Sequence, residues 1–185
     1  MTALDDLWFL ASEASQQAEQ VAHRLDSRHD DYLEFATTRH VSRSRFRTVA
    51  ERIECQGLPF GAHTLAYRPD GRVLLVREPR IDQWVLPGGE VDDGETFLEG
   101  ARRELHEEAG IDVDYEGLGV LGRVRFRCDG HETWGLLPVY EGRARSTDPE
   151  VNDPDGEITE ARWFETIPED TRDREVLVSW REETF

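Results

Sequence analysis

Lysine is absent from the chain, so all 22 of its basic residues are arginines. They face 40 aspartates and glutamates, which gives a formal net charge of −18 at pH 7. A surface this negative argues against binding to nucleic acid or to anionic lipid, because like charges repel. We therefore expect neither a nucleic-acid partner nor a membrane partner.

The same excess of acidic residues is typical of proteins that work in concentrated salt, where acidic surfaces stay soluble. We predict a halophilic protein that loses stability at low ionic strength and regains it when salt screens the repulsion between carboxylates. An ordinary acidic bacterial protein is the alternative interpretation of this composition.

Cysteine is also scarce, with only Cys55 and Cys128 in 185 residues. Two distant cysteines, behind an N-terminus that lacks the basic start and apolar run of a leader, favour reduced thiols in the cytoplasm. No apolar stretch approaches the ~20 residues that cross a membrane. We therefore expect a cytoplasmic localisation for the protein.

The most informative segment is Gly89–Ile111, which predicts an acidic loop followed by one helix. Good helix formers fill residues 97–109, and the glycine at position 110 favours a left-handed cap. Residues 93–96 favour a helix start. Leucines and alanines recur at three- and four-residue spacing, so one face of this helix is expected to pack on a core.

Three glutamates share the predicted helix. Glu104 and Glu108 stand four residues apart and therefore lie on one face, with Glu107 beside them. Carboxylates placed so closely repel each other unless a cation lies between them, and Mg²⁺ or Mn²⁺ suits oxygen ligands. We also expect Arg103 to pair with Glu95 and to hold the loop to the helix. A solvated acidic helix face is the plainer alternative for any single glutamate.

The spacing of these residues resembles the Nudix box, the signature pattern of one hydrolase family. The matching positions are Gly89, Glu95, Arg103, Glu104, Leu105, Glu107, Glu108, Gly110 and Ile111. The resemblance implies an α/β fold, namely a Nudix-type α/β/α sandwich with a mixed β-sheet. It also implies a set of ligands for Mg²⁺ or Mn²⁺, which are Gly89, Glu104, Glu107 and Glu108.

The resemblance further implies an enzyme that cleaves the diphosphate linkage of a nucleoside diphosphate derivative. Water attacks phosphorus in that reaction while metal ions neutralise the diphosphate. Arg103 and Glu95 are expected to belong to the catalytic centre. The general base stays open among Glu104, Glu157 and Glu160.

Two questions about function remain open at the level of the sequence. ADP-ribose, oxidised nucleoside triphosphates and sugar nucleotides are all candidate substrates. A nucleotide-sensing Nudix-fold module that binds its ligand without turnover is the alternative function.

Candidate contacts to the substrate lie outside the box. Arg77 lies upstream of it, and Arg125 and Arg127 belong to an alternating row that places guanidiniums on one face of a strand. Guanidiniums suit phosphate oxygens, and Trp84 is a candidate to stack on a base. Pairing with surface acids is the alternative role for the arginines, and core packing is the alternative for Trp84.

The chain is expected to consist of an N-terminal helical segment, residues 1–57, and a Nudix hydrolase domain, residues 58–185. Apolar residues at helical spacing predict one helix from residue 3 to about residue 25 and a second from Asp31 to about Glu54, ended by Gly57. This helical hairpin is expected to pack on the catalytic domain or to form a homodimer.

From residue 62 the apolar period changes to that of strands. The pattern predicts strands at residues 62–67, 73–77, 118–128, 134–141 and 161–164. Residues 146–156 are rich in Asp, Glu and Pro and predict a mobile polar loop, and a terminal helix is expected to begin at Ile167.

Overall fold

A computed structural model of the chain describes residues 3–185, with side chains from residue 6 onward. The elements in chain order are α1 (Ala3–Asp26), β1 (Leu33–His40), α2 (Arg43–Gln56), β2 (Ala62–Tyr67), β3 (Val73–Glu78), β4 (Gln83–Val85), β5 (Gly88–Gly89), α3 (Phe97–Ala109), β6 (Val113–Cys128), β7 (His131–Ala144), β8 (Glu160–Phe164) and α4 (Arg174–Thr184). No described helix is both long and apolar enough to cross a membrane.

The contacts divide the chain into two compact units. The first comprises the described residues up to Phe60 together with Leu121–Pro138, and the second comprises Gly61–Val120 and Val139–Phe185. Strands β6 and β7 contribute residues to both units. The expected boundary between residues 57 and 58 stays a prediction.

In the first unit, helices α1 and α2 pack against each other through apolar faces. The buried residues of α1 recur at helical spacing and are Leu7, Ala11, Ala14, Ala18, Val21, Ala22 and Leu25. Helix α2 buries Phe46, Val49, Ala50 and Ile53. The Ser42 hydroxyl caps the start of α2 by accepting from the Arg45 amide at 3.2 Å, and Gly57 ends the helix at φ 82°.

The prediction of a second helix starting at Asp31 was wrong, because residues Leu33–His40 form strand β1. This segment contains Phe35, Thr37 and Thr38, whose aromatic and β-branched side chains favour strands. Its exposure alternates at every residue, which is the period of a strand rather than of a helix. The second helix begins only at Arg43.

The second unit is built on a mixed sheet, as expected. Strand β2 pairs in parallel with β7 and antiparallel with β3 and β5, and β3 pairs antiparallel with β4 and β8. Helix α3 packs on this sheet, and the two share one buried cluster. The residues of that cluster are Ala66, Leu74, Val76, Leu105, Ala109, Ile111, Val113 and Ile158. The α/β class is confirmed.

The terminal helix begins at Arg174 rather than at Ile167. The backbone that precedes this helix is hydrogen-bonded to strand β4. The Trp84 amide donates to the Asp170 carbonyl at 3.1 Å. The Arg172 amide in turn donates to the Trp84 carbonyl at 2.9 Å. These two hydrogen bonds form an isolated bridge between Trp84 and Thr171, so the backbone of residues 170–172 bonds β4 instead of forming a helix.

Candidate active site

Helix α3 spans Phe97–Ala109, as the sequence predicts, and both of its ends are fixed. Thr96 and Glu99 form a capping box: the Thr96 hydroxyl accepts from the Glu99 amide at 3.2 Å, and the Glu99 carboxylate accepts from the Thr96 amide at 2.7 Å. Gly110 ends the helix at φ 62°, in the left-handed region. The fixed ends determine which way the three glutamates of the box face.

Arg103 connects the loop to the helix. Its guanidinium donates to both oxygens of Glu95, at 2.9 and 3.1 Å, and to the Glu90 carbonyl at 2.8 Å. The predicted pair is therefore confirmed. The Arg103 guanidinium also holds the pKa of Glu95 below its ordinary value, so this carboxylate is charged at neutral pH.

The same arginine reaches the glutamates of the box. Its Nη1 donates to Glu104 Oε1 at 2.8 Å and to Glu107 Oε2 at 3.4 Å. Hydrogen bonds to Glu95 first and to Glu104 second raise the pKa of Arg103 further above its already high value. One guanidinium thus fixes the positions of two candidate metal ligands.

Glu108 lies deepest in the site and is only 5% exposed. Its Oε2 accepts a hydrogen bond from the Gly88 amide at 2.9 Å. Burial, with a smaller contribution from the nearby Glu104 carboxylate, raises the pKa of Glu108 to about 9. Burial also raises the pKa of Glu104, against the opposing effect of Arg103. Two carboxylates on one helix face thus lie where a cation would stabilise their charged forms.

Two glycines let the backbone approach this helix face. A Cβ atom at Gly89 would lie 2.7 Å from the Glu104 carboxyl carbon, so a side chain has no room there. A Cβ atom at Gly61 would lie 1.7 Å from the Gly89 carbonyl oxygen. Sequence reasoning missed Gly61, and its only signal was that a glycine directly precedes a predicted strand.

The donor chemistry of the site fits a hard divalent cation. Among the side chains that the structure describes, from residue 6 onward, no three or more histidines, cysteines, aspartates or glutamates form a group that could hold a metal. Mg²⁺ needs fewer, because proteins usually hold it with one or two carboxylates and the substrate phosphates supply further oxygens. Glu104 and Glu108 provide two such carboxylates, and both have their pKa raised by burial.

Three acidic residues that the sequence did not single out act on this pair. Asp153 and Glu78 raise the pKa of Glu108, and Asp155 raises that of Glu104. Each effect is smaller than the effect of burial. These acids enlarge the negative field that a cation or a metal-bound phosphate would meet.

Asp153 also organises the polar loop that was predicted at residues 146–156. Its carboxylate accepts from the amides of Asp155, Glu157 and Ile158, at 3.0, 2.6 and 2.9 Å. Two further amides of the loop bond the C-terminal carbonyls of α3, Glu150 to Ala109 at 2.8 Å and Asn152 to Glu107 at 3.0 Å. The loop is therefore fixed to the helix that carries the box.

The candidate bases outside the box are paired with arginines. Glu157 contacts Arg80, and Glu160, the first residue of β8, contacts Arg162. A catalytic role for either glutamate stays a prediction.

Arg77 and Trp84 lie together on neighbouring strands. Arg77 pairs with Asp82 and Asp170, and its guanidinium lies 5.5 Å from the centre of the Trp84 ring. Trp84 is 8% exposed and meets the Phe164 ring edge to face at 4.7 Å. These contacts match the alternative roles of ion pairing and core packing. A role in substrate binding stays a prediction for both residues.

Arg125 and Arg127 lie in the first unit, whereas the box lies in the second. Both pair with Glu132, at 3.1 and 2.6 Å. Ion pairing with a surface acid was the alternative interpretation of this arginine row. Their proposed role in phosphate binding also stays a prediction.

Comparison with known proteins matches this chain to one family. The model of the NUDIX domain matches residues 58–178. An 8-oxo-(d)GTP phosphatase of Mycolicibacterium smegmatis is 35% identical over 92 residues, which cover 50% of this chain and 26% of that protein. An oxidized purine nucleoside triphosphate hydrolase of Danio rerio is 36% identical over 98 residues, which cover 51% of this chain and 59% of that protein.

The chain thus spans less than two thirds of the length of these curated relatives. Among solved structures, a NUDIX hydrolase from Nitrosomonas europaea aligns with a TM-score of 0.51 and 23% identity. The alignment covers 66% of this chain and 69% of that one. At this identity the match bears on the fold alone.

Proposed function

This chain belongs to the NUDIX family, and on that premise we propose that it is a divalent-metal-dependent hydrolase. Its substrate would be a nucleoside diphosphate derivative, and water would attack a phosphorus of the diphosphate linkage. The observation that carries the proposal is the pair of carboxylates, Glu104 and Glu108, which are held on one helix face against the Gly88–Gly89 backbone.

The ligands proposed for Mg²⁺ or Mn²⁺ are Glu104 and Glu108, with Glu107 and the Gly89 carbonyl assisting. When bound, the cation would polarise phosphoryl oxygens and lower the pKa of the attacking water. Arg103 orients Glu104 and Glu107 through the hydrogen bonds described above. Glu95 in turn holds Arg103 in place.

The general base has three candidates, Glu104, Glu157 and Glu160. Glu104 is supported best, because its carboxylate lies on the same helix face as the proposed metal ligand Glu108 and is oriented by Arg103. Glu157 and Glu160 each contact an arginine instead, Arg80 and Arg162 respectively.

The names of the two relatives suggest which substrates to test first. One is named for 8-oxo-(d)GTP and the other for oxidized purine nucleoside triphosphates. We propose purine nucleoside triphosphates, oxidised and unmodified, as the first substrates in a panel. ADP-ribose and sugar nucleotides complete that panel.

The decisive experiment measures nucleotide release by the full chain in about 1 M KCl, where the Debye length is about 3 Å. The comparison is between wild type, Glu108→Gln and Glu99→Gln, each with Mg²⁺ and with Mn²⁺. The control makes the same isosteric change on the same helix, and glutamine still completes the capping box. We expect turnover by wild type and by the control, and a loss of at least about 100-fold for Glu108→Gln.

Equal turnover in all three proteins would show that Glu108 takes no part in the reaction. Nucleotide binding by a folded wild type without any turnover would instead favour the nucleotide-sensing alternative. Isothermal titration with the same panel distinguishes that result from a missing substrate.

A further inference from the structure

Strand β1 is a long edge strand with little to prevent it from pairing. It is the terminal strand in the order β1-β6-β7-β2-β3-β4 and, among the described residues, it bonds to β6 alone. Proteins usually protect such edges with short strands, prolines, bulges or charges. β1 has eight residues, and the central four, Phe35–Thr38, carry neither charge nor proline.

The outward edge of β1 can be identified from one hydrogen bond. The Val41 amide donates to the Arg127 carbonyl of β6 at 3.1 Å. Backbone groups of alternate residues point to opposite edges of a strand. The odd-numbered residues of β1 therefore bond β6, and the backbone groups of Glu34, Ala36, Thr38 and His40 face outward.

The charge around β1 changes sign from one end to the other. Exposed acids surround its start, namely Asp30, Asp31 and Glu34. From residue 35 to residue 50 the chain contains no acid. Exposed basic residues surround the end of the strand, namely His40, Arg43, Arg45 and Arg47. The edge therefore has an acidic half and a basic half.

We propose that the outward edge of β1 pairs antiparallel with β1 of a second copy of this chain, forming a two-fold symmetric dimer. Antiparallel pairing brings the acidic half of each strand beside the basic half of the other. A parallel arrangement would place like charges together. This local complementarity selects a second copy as the partner, although the chain as a whole carries −18.

Several registers match the side-chain faces and the outward backbone groups, and the charges at the two ends of the strand select one of them. Centring the two-fold axis on Thr37 places Glu34 opposite His40 of the partner subunit, and both residues lie on the exposed face of the strand. It also makes Ala36 and Thr38 of the partner subunit a hydrogen-bonded pair, which agrees with their outward backbone groups. A shift by one residue would place exposed side chains opposite half-buried ones.

The first test is sedimentation equilibrium of the full chain, over micromolar to submillimolar concentrations, in about 1 M KCl. We expect a species of about twice 21.3 kDa. The variants Ala36→Pro and Thr38→Pro each remove an outward amide without removing a bond to β6. Each is expected to weaken dimerisation at least about tenfold while the far-ultraviolet circular dichroism of the monomer stays unchanged.

A charge exchange keeps the proposal falsifiable if the proline variants fail to fold. Glu34→Arg alone places an arginine opposite the basic His40 of the partner subunit, and His40→Glu alone places a glutamate opposite Glu34, so either change removes the complementarity from both halves of the dimer. In about 0.1 M KCl, where the Debye length is about 10 Å, each single change should weaken dimerisation about tenfold, and the double variant should restore it. Restoration is not expected if either residue acts only within its own chain.

The register is tested by cross-linking in a Cys55→Ser background, because Cys55 is exposed. Thr37→Cys places two thiols beside each other across the axis, at the short spacing of a non-hydrogen-bonded pair. Thr38→Cys is the matched control, because the two thiols that it introduces do not lie opposite each other in this register. We expect a disulfide-linked dimer from the first variant and little from the second.

A chain that remains at 21.3 kDa across the concentration range overturns the proposal. A dimer that is unaffected by the proline and charge variants also overturns it, because the interface then lies elsewhere. Equal cross-linking at positions 37 and 38 contradicts the proposed register.

Discussion

Arg103 and Glu95 form a two-point ion pair that joins the acidic loop to helix α3. The guanidinium Nε lies 2.9 Å from Oε1, and Nη2 lies 3.1 Å from Oε2. Both side chains are less than a third exposed, at 27% and 22%. Paired donors and acceptors in this geometry resist rotation as well as separation, so the pair fixes the loop in one orientation.

We expect Glu95→Gln to lower the free energy of unfolding by about 1 to 2 kcal/mol at pH 7, because a neutral amide loses the charge-assisted hydrogen bonds. Asp92→Asn is the matched control. Asp92 lies 3.6 Å from the same Nε but is 70% exposed, so its removal should cost less than about 0.5 kcal/mol. Urea unfolding measures both changes, and equal losses would contradict a special role for Glu95.

The same pair predicts a pH dependence. Arg103 lowers the pKa of Glu95 below its ordinary value of 4.5 in the folded chain. The ion pair therefore stabilises the fold fully above that ordinary value, and its contribution is lost as the pH falls through the lowered pKa. The stability difference between wild type and Glu95→Gln should be constant near neutrality and shrink toward zero in acid. A difference that grows on acidification would contradict this sign.

Metal removal should affect stability as well as activity. We expect Mn²⁺ to raise the unfolding free energy of wild type, by about 2.7 kcal/mol at one hundred times the dissociation constant. EDTA should reverse the effect. Glu108→Gln should show little response to the metal, whereas Glu99→Gln should respond like wild type. Thermal unfolding at matched ionic strength provides the measurement, and a full metal response in Glu108→Gln would show that Glu108 does not hold the cation.

Gly61 should be essential to the site although it carries no functional group. Gly61→Ala adds a methyl where the Gly89 carbonyl lies 1.7 Å away, at a backbone φ of 79°. We expect a loss of more than about 2 kcal/mol in stability and a loss of activity, because the Gly89 backbone must move.

Gly94→Ala is the matched control for this change. Gly94 lies in the acidic loop at φ 87°, but no atom lies within 4 Å of the position of an added Cβ. It should therefore cost only the strain of the backbone, about 1 kcal/mol. Similar losses in both variants would mean that the close approach between Gly61 and Gly89 is unimportant.

The parts of the site that the sequence predicted are those that depend on nearby residues. The bounds of α3, its left-handed cap at Gly110 and the pair between Arg103 and Glu95 all arise within one loop and one helix. The spacing of glutamates on a helix face is a local property too. The sequence therefore contained nearly all the information about this segment.

The parts that the sequence missed depend on contacts between distant segments. Asp153 influences Glu108 only because its loop bonds the end of α3, 40 or more residues away in the chain. β1 was wrongly assigned to a helix because Leu33 and Phe35 were grouped with the apolar residues of α2, although their two-residue spacing is that of a strand. The pairing of this strand with β6 is also a contact between distant segments. Tertiary contacts of this kind cannot be deduced from apolar spacing alone.

The end of helix α4 offers a test of how the acid excess affects stability. Glu182 and Glu183 are exposed in the last turn of this helix, where the negative end of the helix dipole disfavours acidic side chains. Changing both to glutamine should raise the unfolding free energy by about 0.5 to 1 kcal/mol at low salt. The gain should shrink in about 1 M KCl, because salt screens exposed charges.

Wild type itself should gain stability over the same range of KCl. Sucrose at equal osmolality does not screen charge, so it should not shrink the stability gain of the double variant over wild type. Urea midpoints at each salt concentration provide the comparison. A gain for the double variant that does not change with salt would contradict an electrostatic cause, since glutamine and glutamate form helices about equally well and differ mainly in charge.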